Sequence, residues 1–168
     1  MAKRGRIFAI IFLALLIPVL LKAPESEAKV YRGKYANNTK WSYDTKTKTV
    51  IIECRGELPD DYNGSAGWRD YYLKAKKVIF KKGISSIGKG ILENFQKVEE
   101  VVLPEGLKTI KDSAFFTCYR LKKINVPTSL RTIGGSAFSE TEFNAFSLER
   151  VKKIGNMCFS GSKIKEVY

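Results

Sequence analysis

Asp60 and Asp61 stand side by side, the nearest thing in this chain to a pair of catalytic carboxylates. Two carboxylates can divide acid and base duties when they face one reacting bond. Here they sit in "GELPDDYNGSAGW" (56–68), whose Gly- and Asp-rich composition makes an irregular loop. Neighbouring aspartates in such a loop form turns. The 168 residues include no His, which removes the usual general base at neutral pH and the commonest metal ligand. Ser–His and Cys–His nucleophiles go with it. Cys54, Cys118 and Cys158 are scattered, whereas a zinc site needs them clustered. "GKG" (88–90) and "IGG" (133–135) lack P-loop spacing and the Lys-Ser/Thr that follows it, and read as turns. No catalytic residue, cofactor or metal site is expected, and the chain reads as a non-enzyme.

The chemistry left is charge. Lys and Arg number 30 against 17 Asp and Glu, a net charge of +13. The charges are periodic. Lys76-Lys77, Glu99-Glu100 and Lys122-Lys123 follow one another at 23-residue intervals. Ser85, Lys108, Arg131 and Lys152 follow at 23, 23 and 21, with Lys153 beside the last. Periodic charges gain meaning only from periodic elements that hold them side by side.

Those elements are written in the sequence. "LKTIKDSAF" (107–115) and "LRTIGGSAF" (130–138) share six of nine letters and start 23 residues apart. "ISSIGKGIL" (84–92) and "VKKIGNMCF" (151–159) keep the same frame. A short apolar run precedes each: "VIF" (78–80), "VVL" (101–103), "INV" (124–126) and "FSL" (146–148). "IKEVY" (164–168) supplies one more strand-like piece. A fixed period of this length marks a solenoid, in which stacked repeats bury a continuous core that one repeat cannot. Pro104 and Pro127 stop two of the strands. Phe115, Phe138 and Phe159 should stack in one column, and Ile110, Ile133 and Ile154 in another.

"LKTIKDSAFFTCYRLKKINVP" (107–127) resembles the repeat of the BspA-type leucine-rich repeat proteins, and "WSYDTKTKTVIIECRGELPDDY" (41–62) with Trp68 is similar to their lead-in. The resemblance covers about residues 41–168 and is looser in the first and last repeats. It implies a secreted or cell-surface binding protein, often an attachment protein, with no common catalytic residue. The fold expected is mostly β, of α/β solenoid type: a short right-handed leucine-rich repeat solenoid of about four coils of 21–23 residues behind a β-rich N-terminal cap.

Three segments follow. Residues 1–28 read as a secretory signal peptide: basic "KRGR" (3–6), a 15-residue apolar run (7–21) and small residues at "SEA" (26–28). An uncleaved anchor is the competing reading. Cleavage removes four basic and two acidic residues, lowers the charge to +11, and leaves no membrane span. Residues 29–77 form the cap, with two strands around a turn at 44–48 and a helical turn or two near 69–75. Residues 78–168 form the solenoid. Cys118 and Cys158 lie two coils apart, roughly 10 Å at ~4.8 Å per coil, beyond the ~7 Å reach of a disulfide. All three Cys are expected as buried thiols. "NNT" (37–39) and "NGS" (63–65) match the glycosylation signal at Asn37 and Asn63.

On the main sheet the exposed pairs should alternate in sign: Lys76-Lys77, Glu99-Glu100, Lys122-Lys123, then Asn144-Ala145 and Lys165-Glu166. Asn125 belongs to the same candidate surface. These charges either fix the register as solvated side chains or meet a partner. Lys108, Arg131, Lys152 and Lys153 form a like-charged column suited to an anionic surface. An extracellular protein or an anionic surface is the expected partner, through either face. Nucleic acid is not expected, because no aromatic platform interleaves with these basics. A glycan- or wall-binding module built on Trp41, Tyr43, Tyr62, Trp68, Tyr71 and Tyr72 is the competing class, against a plug on the solenoid end. The final coil, with Ile164 and Val167, is expected either to self-associate weakly end to end or to fray over roughly the last five to ten residues.

Overall fold

The computed structural model describes residues 27–36, 38–61 and 63–167. Most of the signal segment, together with Asn37, Tyr62 and Tyr168, lies outside them. Three antiparallel strands open the fold: β1 (Val30–Tyr35), β2 (Thr39–Asp44) and β3 (Thr49–Glu53). The turn at 44–48 is an Asx turn, in which Asp44 Oδ1 accepts from the amides of Lys46 and Thr47 at 2.8 and 3.0 Å. A 3₁₀ turn, Gly67–Tyr71, follows the Asp-rich loop and carries buried Trp68.

From β3 onward the chain winds. In the main sheet β3 pairs in parallel with β5 (Lys77–Phe80), β5 with β7 (Glu100–Val102), and β7 with β9 (Lys123–Ile124). The second sheet stacks β4 (Gly56–Glu57), β6 (Ile84–Ile87), β8 (Thr109–Ile110), β10 (Thr132–Ile133) and β12 (Lys153–Ile154). Strands β11 (Ala145–Phe146) and β13 (Glu166–Val167) pair separately. Four full two-strand coils result, and the leucine-rich repeat solenoid expected from the period is the fold found. Strands β3 and β4 add a leading coil drawn from 49–57.

A third ladder closes each coil. At the corner the amides of Leu92, Phe115 and Phe138 bond to the carbonyls of Ala114, Ala137 and Cys158 at 2.8–2.9 Å. Those of Asn94, Thr117 and Glu140 bond to Phe116, Ser139 and Ser160. Two left-handed residues per coil make this possible: Gly90, Ser113, Ser136 and Met157 at the first position, Asn94, Thr117, Glu140 and Gly161 at the second. Gly takes that conformation without penalty at Gly90 and Gly161.

Inside the corner the aromatic column forms as the period predicts. The rings of Phe115 and Phe138 stack at 5.0 Å and 2°, and those of Phe138 and Phe159 at 5.8 Å and 6°. Ile87, Ile110, Ile133 and Ile154 occupy matching register positions; Ile154 is exposed at the far end.

One expectation fails. The sequence places Lys122-Lys123 beside Asn144-Ala145, but the main sheet divides between β9 and β11. Ile124 to Phe146 is 22 residues, not 23, so this coil is one residue short. Phe143 and Phe146 replace the smaller Leu121 and Ile124, and both are buried. They pack around Phe138 and Phe159 with ring centroids 5.1–6.3 Å apart. Filling the core with these rings displaces the strand from its neighbour's hydrogen-bonding edge.

All three cysteines are free and buried. Burial pushes the thiols of Cys118 and Cys158 up to about 12, while in an open chain they ionise near 9.0. Above pH 9 the unfolded chain therefore holds fewer protons than the folded one, and stability falls as pH rises towards 12. Each of these thiols removes up to about 1.4 kcal/mol per pH unit in that window. Urea unfolding at pH 8 and pH 10 should show this loss, smaller in Cys118→Ala than in the parent. A thiol reagent without reductant should count three thiols after denaturation, and one thiol would mean a disulfide.

Candidate functional site

The outer face of the main sheet carries the first candidate surface. Strand pleating sends Val50, Ile52, Val78, Phe80, Val101 and Leu103 inward, where all are buried. The alternate residues face out. Lys77, Glu100 and Lys123 are register neighbours. Lys77 Nζ meets Glu100 Oε1 at 2.8 Å, and Lys76 meets Glu99 at 3.5 Å. Lys122 pairs across the coil boundary with Glu142, at 3.5 Å. These side chains are a third or more exposed, apart from the more sheltered Glu142, and such pairs contribute about 0–1 kcal/mol each. Beside them runs an apolar stripe: Ile51, Ile79 and Val102 in register, each partly exposed.

Asn125 occupies the next place on that stripe, but its amide is committed inward. Oδ1 accepts from Leu103 N at 2.7 Å and Nδ2 donates to Leu103 O at 2.8 Å. The side chain thus extends the strand ladder where β9 ends, and Asn125 is a fastener rather than a free contact.

The second candidate surface is the basic column. Backbone bonds link Ser85 to Lys108, Lys108 to Arg131 and Arg131 to Lys152 at 2.8–2.9 Å, so these residues do stand in a row. Lys153 aligns with Thr132 one place on. The Arg131 guanidinium folds back onto the carbonyls of Thr128 and Leu130. Among the described residues no carboxylate pairs with Lys108, Arg131, Lys152 or Lys153.

The Asp60-Asp61 pair is structural. Asp60 accepts from Lys89 N at 2.9 Å and meets Lys111 Nζ at 3.4 Å. Burial alone would lower the Lys111 pKa, but Asp60 and Glu57 outweigh it and hold it raised. Asp61 is fully buried. It accepts from Ser65 N and Ala66 N, and meets Arg69 Nε at 2.6 Å. Arg69 then reaches into the first coil, donating to the carbonyls of Glu93, at 2.9 Å, and Gly90. The cap is bolted to the solenoid through this one side chain. Among the described residues no group of three or more His, Cys, Asp or Glu is arranged to hold a metal.

The cap aromatics divide. Trp68 is fully buried, with Nε1 donating to Ile91 O at 3.2 Å, and Tyr43 is buried. Trp41 lies against Gly33 and Gly67, where any Cβ would stand within about 2.6 Å of its ring. These three plug the first coil. Tyr31 and Tyr72 are 46% and 41% exposed. One feature of the surface has a sequence signal that composition hides: Lys74, Lys97 and Arg120 also recur at 23-residue intervals and border the cap.

Residues 70–168 match the BspA type leucine rich repeat region, in six copies. The chain belongs to the BspA-type leucine-rich repeat family. Among solved structures it resembles a leucine-rich repeat protein from Eubacterium ventriosum, with a TM-score of 0.74 at 20% identity over 83% of this chain and 37% of that one. A leucine-rich repeat protein of T. pallidum gives 0.59 at 19% identity, over 82% and 67%. One from Bacteroides ovatus gives 0.56 at 20%, over 83% and 39%. This BspA-type chain thus spans well under half of the E. ventriosum and B. ovatus proteins. At these identities the likeness is one of fold. No curated protein matches the chain in sequence.

Arg69→Met should leave Asp61 buried without its cation. A cost of about 3 kcal/mol is expected by urea unfolding, and adding Asp61→Asn should recover part of it. A loss below ~1 kcal/mol would mean the pair is not the bolt described.

Proposed function

We propose that this BspA-type protein is a non-enzymatic binding module that acts outside the cytoplasm and grips an extracellular protein through the outer face of its main sheet. The observation that carries the reading is the Ile51–Ile79–Val102 stripe. Partly exposed β-branched residues in a row, bordered by paired charges, have the makeup of an interface: an apolar centre inside a polar rim. The Lys77–Glu100–Lys123 row neutralises itself, so it orients a partner and contributes little raw affinity. Export rests on the 1–28 signal and on the family's surface and secreted members. Among the described residues no helix is long and apolar enough to cross a membrane.

The basic column supports a second contact, with an anionic surface. Lys108, Arg131 and Lys152 have no carboxylate partner to quench them, so their field reaches outward.

Ile79→Glu puts a charge at the centre of the stripe. Capture of purified extracellular proteins in a solid-phase assay should drop at least about tenfold, the equivalent of ~1.4 kcal/mol, with no change in melting temperature. Lys108→Glu with Arg131→Glu should leave that capture intact and remove only a salt-sensitive component. If Ile79→Glu binds like the parent, the sheet face is not the contact.

A further inference from the structure

The corner between the cap and the first coils holds a groove of about 750 Å³ that neither candidate surface includes. Its wall is aromatic. Tyr43 and Tyr71 stack at 4.0 Å and 20°, and the Tyr31 ring lies 5.8 Å from that of Tyr71. Tyr43 is buried behind; Tyr31 stands 46% exposed at the mouth. The pair on β1 and β2 is set by register, Tyr31 opposite Tyr43. Tyr71 is delivered by the 3₁₀ turn.

Along the groove runs a row of cations. Lys74, Lys97 and Arg120 come from successive coils, one coil step of ~5 Å apart. Lys74 Nζ lies 5.9 Å above the Tyr71 ring, and among the described residues no carboxylate pairs with any of the three. Like charges stacked at this spacing repel one another. An anion laid along the row relieves that repulsion. Two carboxylates also line the groove, Asp70 and Glu99, the latter tethered to Lys76 at 3.5 Å.

We propose that this groove binds an acidic glycan, a chain of sugar rings bearing carboxylates or sulfates. Each element of the site meets one part of such a ligand. The exposed Tyr31 face takes the apolar face of a sugar ring, since a tyrosine combines an apolar body with a polar tip. Lys74, Lys97 and Arg120 pair with its acidic groups. Asp70 and Glu99 accept from its hydroxyls. A pyranose unit is about as long as one coil step, so ligand and row share a period. A single-stranded nucleic acid also brings rings and charge. It carries a phosphate about every 3.4 Å, denser than the cation row, and Asp70 and Glu99 repel it while finding few hydroxyls. An acidic peptide satisfies the cations but leaves the Tyr31 ring with nothing specific to stack on. The proposal stands apart from the sheet-face reading, because Ile79 is not in the groove.

Isothermal titration of the purified chain with oligogalacturonate and with heparin oligosaccharide tests it, beside methyl-esterified oligogalacturonate, polyglutamate and oligo-dT. At least one acidic glycan should bind, and the esterified one should not. Tyr31→Ala should weaken that binding about fivefold, and Lys97→Gln with Arg120→Gln about tenfold with a flatter salt dependence. Lys108→Gln with Arg131→Gln should leave it unchanged, as should Ile79→Glu. Both groove variants alter exposed side chains, and their melting temperatures should match the parent. The proposal fails if neither acidic glycan binds, or if polyglutamate or oligo-dT binds more tightly than either. It also fails if Tyr31→Ala has no effect, or if the Lys108 and Arg131 changes remove as much affinity as the groove changes.

Discussion

Everything in this fold hangs on the corner ladder, where alternate amides of each coil bond to carbonyls of the next. The ladder needs two left-handed residues per turn, and six of the eight are not glycine. A side chain held in that conformation costs roughly 1–2 kcal/mol, about what a hydrogen bond returns. The corner therefore breaks even on backbone terms and needs another source of stability. That source is the ring at its centre, since burying a Phe contributes about 1.5–3 kcal/mol. Phe115 and Phe138 are fully buried and parallel to within 2°. Stacked identical corners place identical rings over one another, so the column and the ladder enforce the same register.

Register then fixes the surface. Once coils align at the corner, every other column aligns too. Glu100 falls between Lys77 and Lys123, and Lys108, Arg131 and Lys152 stand in a row. Favourable and unfavourable charge stacks are set by the same constraint, and a column of like charge persists because the core outweighs its repulsion. The cap joins this system at two points, through the parallel pairing of β3 with β5 and through Arg69, which bridges buried Asp61 to the Gly90 and Glu93 carbonyls of the first corner. Tyr31, Tyr71 and Lys74 meet at the same junction, so the groove there is held by elements on both sides.

Features carried by one repeated position were legible in the sequence. The 23-residue interval alone placed Phe115, Phe138 and Phe159 in a column, aligned Glu100 with its lysines, and kept Cys118 from Cys158. Features carried by a single unrepeated side chain were not. Nothing in "DDYNGSAGWR" says that Arg69 turns back to Asp61, because both are polar residues in a loop. Strand β1 escaped notice because "VYRGKY" is short and interrupted by Gly33, whose missing side chain makes room for Trp41. The sheet break follows from one deleted residue and two added rings, a balance between packing and hydrogen bonding that a period cannot express. Asn125 reads as a surface amide in sequence and becomes a strand extension only when Leu103 is seen beside it. The Lys74–Lys97–Arg120 row was periodic all along, but its meaning depends on tyrosines from a cap that does not repeat.

The account makes the aromatic column the source of the register, and Phe138, touched by Phe115, Phe143, Phe146 and Phe159, is its centre. Equilibrium urea unfolding of Phe138→Ala, with Phe138→Leu beside it, measures that dependence. The account predicts a loss of ~3–5 kcal/mol for the alanine variant and a smaller one for leucine, each still in a single transition. A loss below ~1 kcal/mol for Phe138→Ala would contradict it and shift the weight of the fold to the sheets.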